Sequence, residues 1–270
     1  MKPDISYVIC ATQRSGTHFL GESLQSTGIA GRPDEYLICD QGGRLQNETG
    51  NIAQIYGPKT LEEFRKLVLE LGSTPNGVFG VTIMWNYFRK ICVNYQTLPR
   101  YEGMDIAEFV DVLLYNPKYI WLTRREKIYQ AVSWAKASQT GIWSRPKGVT
   151  LIPKQEPKFD FFLIDKYYRE ILTGEAGWDQ FFQDAAITPL RVIYEDIVET
   201  YHQTVSSILD YLNIGYPEEL EFQGRKLQRQ SNKLNDEWVM KYRRIKQSRL
   251  GKLVACCYRK IPQASIRALL

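Results

Sequence analysis

Gln13-Arg14-Ser15-Gly16-Thr17-His18 follows the apolar run Ile5–Thr12 and runs into a segment of helical spacing, Thr17–Ser26. Gly16 permits close backbone approach. The amides of Ser15 to His18 would point at an anion, where the helix dipole is positive. Arg14 can add a bidentate charged contact, and the Ser15 and Thr17 hydroxyls can donate. The spacing therefore predicts a phosphate-binding loop. The competing reading is an ordinary strand-to-helix turn with Ser15 as the cap. The segment lacks the earlier glycine and the lysine of the Walker A pattern, which disfavours ordinary ATP hydrolysis.

A second group stands near the middle of the chain. Tyr119–Thr123 runs into Arg124-Arg125, and Ser133 lies eight residues after Arg125. An arginine at a strand end and a serine about two helical turns later can converge on one phosphate. A solvated arginine pair and a surface serine are the alternative.

These residues need a frame to hold them. Ile5–Thr12, Val78–Met84, Tyr119–Thr123 and Leu190–Tyr194 read as strands, each a short apolar run rich in β-branched or aromatic residues. Helical spacing is found in Thr17–Ser26, Leu61–Leu71, Ile106–Tyr115, Arg125–Ser138 and Ile197–Leu212. Strands separated by helices imply parallel pairing and right-handed crossovers. The expected fold is a three-layer α/β domain with a mainly parallel central sheet and a P-loop-like nucleotide site. Gly141–Pro157 carries three prolines and reads as a long loop. Gln223–Asn235 is basic and polar and reads as an exposed loop. No repeat or linker divides the chain, so one domain over residues 1–270 is expected, with a C-terminal helical extension from about residue 235.

Composition narrows the function classes. In 270 residues, 35 Lys+Arg against 30 Asp+Glu leave a net charge of +5, which suits an anionic small ligand and is too weak to indicate nucleic acid. Five scattered cysteines and two histidines make neither a disulfide framework nor a zinc site, and no acidic pair is placed to hold a metal. No secretory signal opens the chain, and no apolar stretch reaches the ~18–20 residues of a membrane helix. The expectation is a soluble, cytoplasmic protein. The end of the chain, Lys252–Leu270, mixes apolar and basic residues with helix-like spacing interrupted by Pro262. It reads as a helix packed on the body or on a second copy of the chain in a homodimer, with a membrane-surface helix as the alternative.

Together these residues resemble a family, the sulfotransferases that use 3′-phosphoadenylyl sulfate (PAPS). Within them the chain looks most like the bacterial trehalose 2-sulfotransferases. The loop at 13–17 carries the likeness, with Gly31-Arg-Pro-Asp-Glu-Tyr36, Asn76–Gly80, Met84-Trp85-Asn86, Gln130–Trp134 and Asn235–Trp238. The loop's Gly-Thr-His ending and the Arg124-Arg125 pair also resemble Nod-factor sulfotransferases. The resemblance implies PAPS as donor, PAP as product, and a hydroxyl of a sugar or glycolipid as acceptor. It gives the 5′-phosphosulfate to Gln13, Arg14, Ser15, Gly16, Thr17 and His18. Arg124 or Arg125 with Ser133 would hold the 3′-phosphate, and the basic segment Arg229-Gln230-Ser231 would add to those contacts.

Transfer to an alcohol requires a proton acceptor. By resemblance this is Glu35, with a solvated loop carboxylate as the bland alternative; Arg14 would stabilise charge on the leaving phosphate. His18 is the other candidate base, although its place in the loop also suits donation to the phosphosulfate. Tyr36, Trp85, Trp134 and Trp143 could stack on sugar faces or serve as core. Family members commonly carry a lysine where this chain has Thr82. Two other readings stay open: a P-loop kinase-like enzyme using ATP, and a non-catalytic nucleotide-binding homologue.

Overall fold

The computed structural model describes residues 2–36, 38–39, 45–47, 50–51, 61–94, 101–144, 149–217 and 233–248. In chain order the elements are β1 (Ile5–Ala11), α1 (Thr17–Ser26), β2 (Ile38–Cys39), β3 (Leu45–Asn47), β4 (Gly50–Asn51), α2 (Leu61–Gly72), β5 (Val78–Met84) and α3 (Trp85–Asn94). They continue as α4 (Ile106–Leu114), β6 (Lys118–Thr123), α5 (Lys127–Thr140), α6 (Phe161–Asp184), β7 (Leu190–Ile193), α7 (Tyr194–Glu199), α8 (Tyr201–Leu212) and α9 (Lys233–Gln247). The chain falls into two compact units. One comprises Met1–Arg125, Pro146–Val149 and Glu170–Gln228; the other comprises Glu126–Arg145, Thr150–Arg169 and Arg229–Leu270.

The first unit holds a parallel sheet of order β5-β1-β6-β7. Its four strands are the four apolar runs of the sequence. Val8 pairs with Val81 on one side and Tyr119 on the other, and Thr123 pairs with Ile193. Side chains alternate between two faces, and both are covered, which is why β1, β5 and β6 are apolar nearly throughout. Val8, Cys10, Val81, Ile83, Tyr119 and Trp121 face one core, packed with Val68 and Leu69 of α2, Phe88 of α3, Phe109 and Leu113 of α4, and Trp178, Phe181 and Phe182 of α6. Tyr7, Ile9, Ile120, Leu122 and Val192 face the other, under Leu20 and Leu24 of α1, Ile197 of α7, and Val205, Ile208 and Leu212 of α8. This is the expected three-layer α/β arrangement. A separate antiparallel sheet, β2-β3-β4, was not anticipated from the sequence.

Local signals set the boundaries. Asp105 and Glu108 form a reciprocal capping box at the start of α4. Asp160 caps α6 by accepting from the Leu163 amide at 3.0 Å. Three expectations need correction. Ile197–Leu212 is two helices, separated at Thr200. β7 ends at Ile193, and Tyr194 opens α7. Lys233–Asn235, expected in a loop, begins α9, with Asn235 buried. The rest of the Gln223–Asn235 segment, and Lys252–Leu270, lie outside the described residues.

The second unit is helical, built on α5, the first part of α6 and α9. Trp134 stacks on Tyr167 with centroids 4.4 Å apart, and Phe161 stacks on Tyr242 at 5.2 Å. The buried Asp165 carboxylate accepts from the Tyr242 hydroxyl at 2.7 Å and pairs with Lys246 and Arg169. Among the described residues, no helix is long and apolar enough to cross a membrane.

One bond fixes the height of α6 against the sheet of the first unit. The fully buried Trp178 donates from Nε1 to the carbonyl of Ala11, the last residue of β1, at 2.9 Å. Trp178→Phe removes the donor and leaves that carbonyl unsatisfied. Stability should fall by about 2 kcal/mol or more, read from urea unfolding.

Candidate active site

In the strand order β5-β1-β6-β7, the chain leaves β1 for one neighbour and returns to the other. Such a reversal opens a crevice outside the carboxyl end of the strand, where open α/β sheets bind ligands. The residues following β1 are those of the 13–18 loop. Arg14 has φ 64 and Gly16 has φ 104, so two left-handed residues turn the chain into α1. Gly16 is the N-cap residue, and α1 has neither a side-chain cap nor an acidic residue in its first turn. Its first amides therefore have no intrahelical acceptor.

Ser15 is fully buried, and its Oγ has no hydrogen-bond partner among the described residues. It does not cap the helix, so the ordinary capped turn does not account for it. One detail departs from expectation. The Ser15 amide, expected to face an anion, instead closes a turn to the Thr12 carbonyl at 3.3 Å. A β-carbon at Gly16 would stand 2.2 Å from Cδ2 of Tyr194, so that position excludes any side chain. Gln13 donates to Oδ1 of Asn86, tying the loop to the first turn of α3.

The ends of β6 and β7 lie side by side through the Thr123–Ile193 pairing. Arg124 is partly buried. Its Nε meets Glu195 Oε1 at 3.4 Å, its Nη1 donates to the Arg14 carbonyl at 3.4 Å, and its guanidinium lies 4.8 Å from the Tyr194 ring centroid. Arg125 is more exposed and pairs with Asp196. The structure thus joins Arg124 to the loop. Tyr194 and Glu195 were given no functional role from the sequence, and Asn86 was quoted only as part of the family likeness. The visible signal was charge complementarity between two strand ends, Arg124-Arg125 and Glu195-Asp196.

Glu35 is buried at 8% exposure, beside the sheet and not out in solvent. Asp34 anchors it: its carboxylate accepts from the Glu35 amide at 2.7 Å, and its carbonyl accepts from the Thr82 amide at 3.0 Å. The segment carrying Asp34 and Glu35 is therefore bonded to β5 at Thr82. His18 is the second residue of α1 and partly buried.

The aromatic candidates are packed. Tyr36 is in the core, and its hydroxyl donates to the Arg32 carbonyl at 2.7 Å. Burial, with the Asp34 carboxylate adding to it, pushes its phenol well above the usual range. Trp85 lies 5.3 Å from Trp178, a β-carbon at Gly177 would strike its ring at 2.1 Å, and one at Gly174 would meet the Thr12 methyl at 2.8 Å and Trp85 at 3.3 Å. Trp134 is buried against Tyr167 in the second unit, where Ser133 also sits on α5. Protein neighbours occupy all three rings, as they do for core aromatics. Trp143 is 41% exposed. Arg229, Gln230 and Ser231 lie outside the described residues. Among the described residues, no cluster of three or more His, Cys, Asp or Glu could hold a metal ion.

Known proteins resemble this chain over most of its length. The trehalose 2-sulfotransferase of Mycobacterium tuberculosis is 31% identical over 257 residues, covering 88% of this chain and 94% of that protein. The trehalose 2-sulfotransferase of Mycolicibacterium smegmatis is 29% identical over 262 residues, covering 88% and 94%. Among solved structures, the sulfotransferase domain from the curacin biosynthetic pathway aligns with a TM-score of 0.42 and 17% identity, over 84% of this chain and 81% of that one. The sulfotransferase domain of the Synechococcus PCC 7002 olefin synthase aligns with 0.42 and 16%, over 97% and 99%. The Stf0 sulphotransferase family matches residues 6–245, from within β1 to within α9 and so across the loop, the strand ends and Glu35. The chain belongs to that family and is a sulfotransferase.

Proposed function

We propose that this enzyme transfers the sulfuryl group of PAPS to a hydroxyl of a carbohydrate or glycolipid, with trehalose the first acceptor to test. The observation that carries the reading is the buried Ser15 hydroxyl, without a partner among the described residues, beside the uncapped start of α1. An orphaned donor there fits a phosphate oxygen, and the cradle at Gly16 fits close approach of the backbone. Bound, PAPS supplies the sulfuryl group and a phosphate leaving group. Ser15, Thr17 and the amides from Gly16 to His18 would hold its 5′ end, with Arg14 countering the charge that develops on the leaving phosphate. The resemblance assigns the 3′-phosphate to Arg124 or Arg125 with Ser133, with Arg229, Gln230 and Ser231 adding contacts. Glu35 would take the acceptor proton as the new oxygen–sulfur bond forms. The family match runs through both units, which supports their working as one sulfotransferase domain.

Labelled PAPS with trehalose, and with a panel of cell extracts, tests the activity by mass analysis of what gains sulfate. PAP should raise the melting temperature strongly and ATP weakly. The reverse order would favour an ATP-using enzyme, and PAP binding without any transfer a non-catalytic homologue.

Ser15→Ala should separate stability from binding. Removing an unsatisfied buried hydroxyl should leave the ligand-free protein as stable or more stable, by up to about 1–3 kcal/mol. PAP affinity should nevertheless fall. Paired unfolding curves and calorimetric titrations would show both; a loss of stability with PAP affinity unchanged would assign Ser15 a packing role.

Glu35→Gln keeps size and removes basicity. PAP affinity should barely change while turnover falls by about 10²–10⁴. Asp34→Asn keeps the acceptor for the Glu35 amide and should be tolerated. His18→Asn should affect PAP binding at least as much as turnover. Normal turnover in Glu35→Gln, with turnover abolished but PAP binding intact in His18→Asn, would transfer the role of base to His18.

A further inference from the structure

We infer that Glu195 is a positioning residue for the anion-binding loop, acting through Arg124. The inference rests on the donor reading proposed above. Both carboxylate oxygens of Glu195 are engaged at the end of β6: Oε1 by Arg124 Nε at 3.4 Å, and Oε2 by the Arg125 amide at 2.9 Å. With Nε held, the planar guanidinium has one orientation, and in it Nη1 reaches the Arg14 carbonyl at 3.4 Å. The same peptide is held from its other side, where the Ser15 amide donates to the Thr12 carbonyl at 3.3 Å. The peptide that follows Arg14, a residue at φ 64, is therefore pinned on both sides. Tyr194 completes the support. It packs against Gly16 so closely that a β-carbon there would lie 2.2 Å from its ring, and it carries the Arg124 guanidinium 4.8 Å from its centroid.

A left-handed, non-glycine residue persists only where its surroundings hold it. Here the holding group is a side chain from the neighbouring strand end, oriented by a carboxylate one strand further on. Arg124 is thereby committed to the loop, and the charge of Glu195 reaches the 5′ end of the nucleotide without touching it.

The test compares the full-length chain with Glu195→Gln and Arg124→Lys, using three nucleotides by calorimetry. AMP carries only the 5′-phosphate, adenosine 3′-monophosphate only the 3′-phosphate, and PAP both. Each variant should weaken PAP and AMP by the same factor of about tenfold, the equivalent of one charge-assisted hydrogen bond, and leave adenosine 3′-monophosphate unchanged. In the ligand-free protein, amides of residues 12–18 should exchange hydrogen faster while those of β5 keep their protection. Weakening confined to nucleotides with a 3′-phosphate would overturn the inference, since Glu195 would then be orienting Arg124 toward that phosphate. So would unchanged exchange at 12–18. If the unsubstituted protein binds none of the three, the donor reading fails, and the exchange measurement still decides for or against the brace.

Discussion

An α-helix leaves its first amide groups without intrahelical partners, and α1 begins on Gly16 with no side chain to cap it. β1, which delivers the chain to this point, is central in the sheet and buried along nearly its whole length. The donors therefore gather at the edge of a dry core, where unmet hydrogen bonds are costly. Trp178 already takes the last carbonyl of β1, and the Thr12 carbonyl takes the Ser15 amide. What remains is the uncapped start of α1 beside the buried Ser15 hydroxyl, which has no partner among the described residues. The rest of the first unit can be understood as the structure that keeps this turn in place.

Keeping it in place requires elements distant in sequence. Asn86 holds Gln13 from the end of β5, and Arg124 holds the Arg14 carbonyl from the end of β6. Tyr194 fills the space beside Gly16 from the end of β7. Each support stands just beyond the carboxyl end of a parallel strand, so strand register sets the geometry of the loop. The Trp178 bond to β1 and the Asp34 bond to β5 belong to the same frame: one anchors a helix, the other brings Glu35 beside the sheet.

Much of the frame was legible because parallel strands buried on both faces are written as continuous apolar runs. All four were found that way, and the loop was found because it interrupts one run and opens a helix. The misses have physical causes. The stretch 161–184 gives no clean helical signal, since Gly174 and Gly177 lie within it; the structure explains Gly177 as room for the Trp85 ring and Gly174 as room for Thr12 beside it. Strands β2 to β4 are two or three residues long, too short for a period of two to register. Tyr36 and Trp134 look the same in sequence whether they stack on a sugar or on protein, and burial separates the two uses. Glu195 drew no reading from the sequence, because its meaning depends on which strand lies beside it. That neighbour is β6, and the Thr123–Ile193 register turns two unremarkable charged pairs into an oriented set.

The placement of Glu35 bears on the chemistry as well as the fold. A solvated loop carboxylate could be exchanged for another acid with little consequence. A carboxylate at 8% exposure has given up water, which costs free energy unless its surroundings offset it. Asp34 fixes the backbone of that segment twice, through its side chain to the Glu35 amide and through its carbonyl to Thr82. The second bond ties the site to β5 at the residue where family members commonly carry a lysine. Thr82 is itself buried and brings no charge there. If that lysine serves the site in those relatives, a cation from elsewhere in the chain must take its part here, or the acceptor differs.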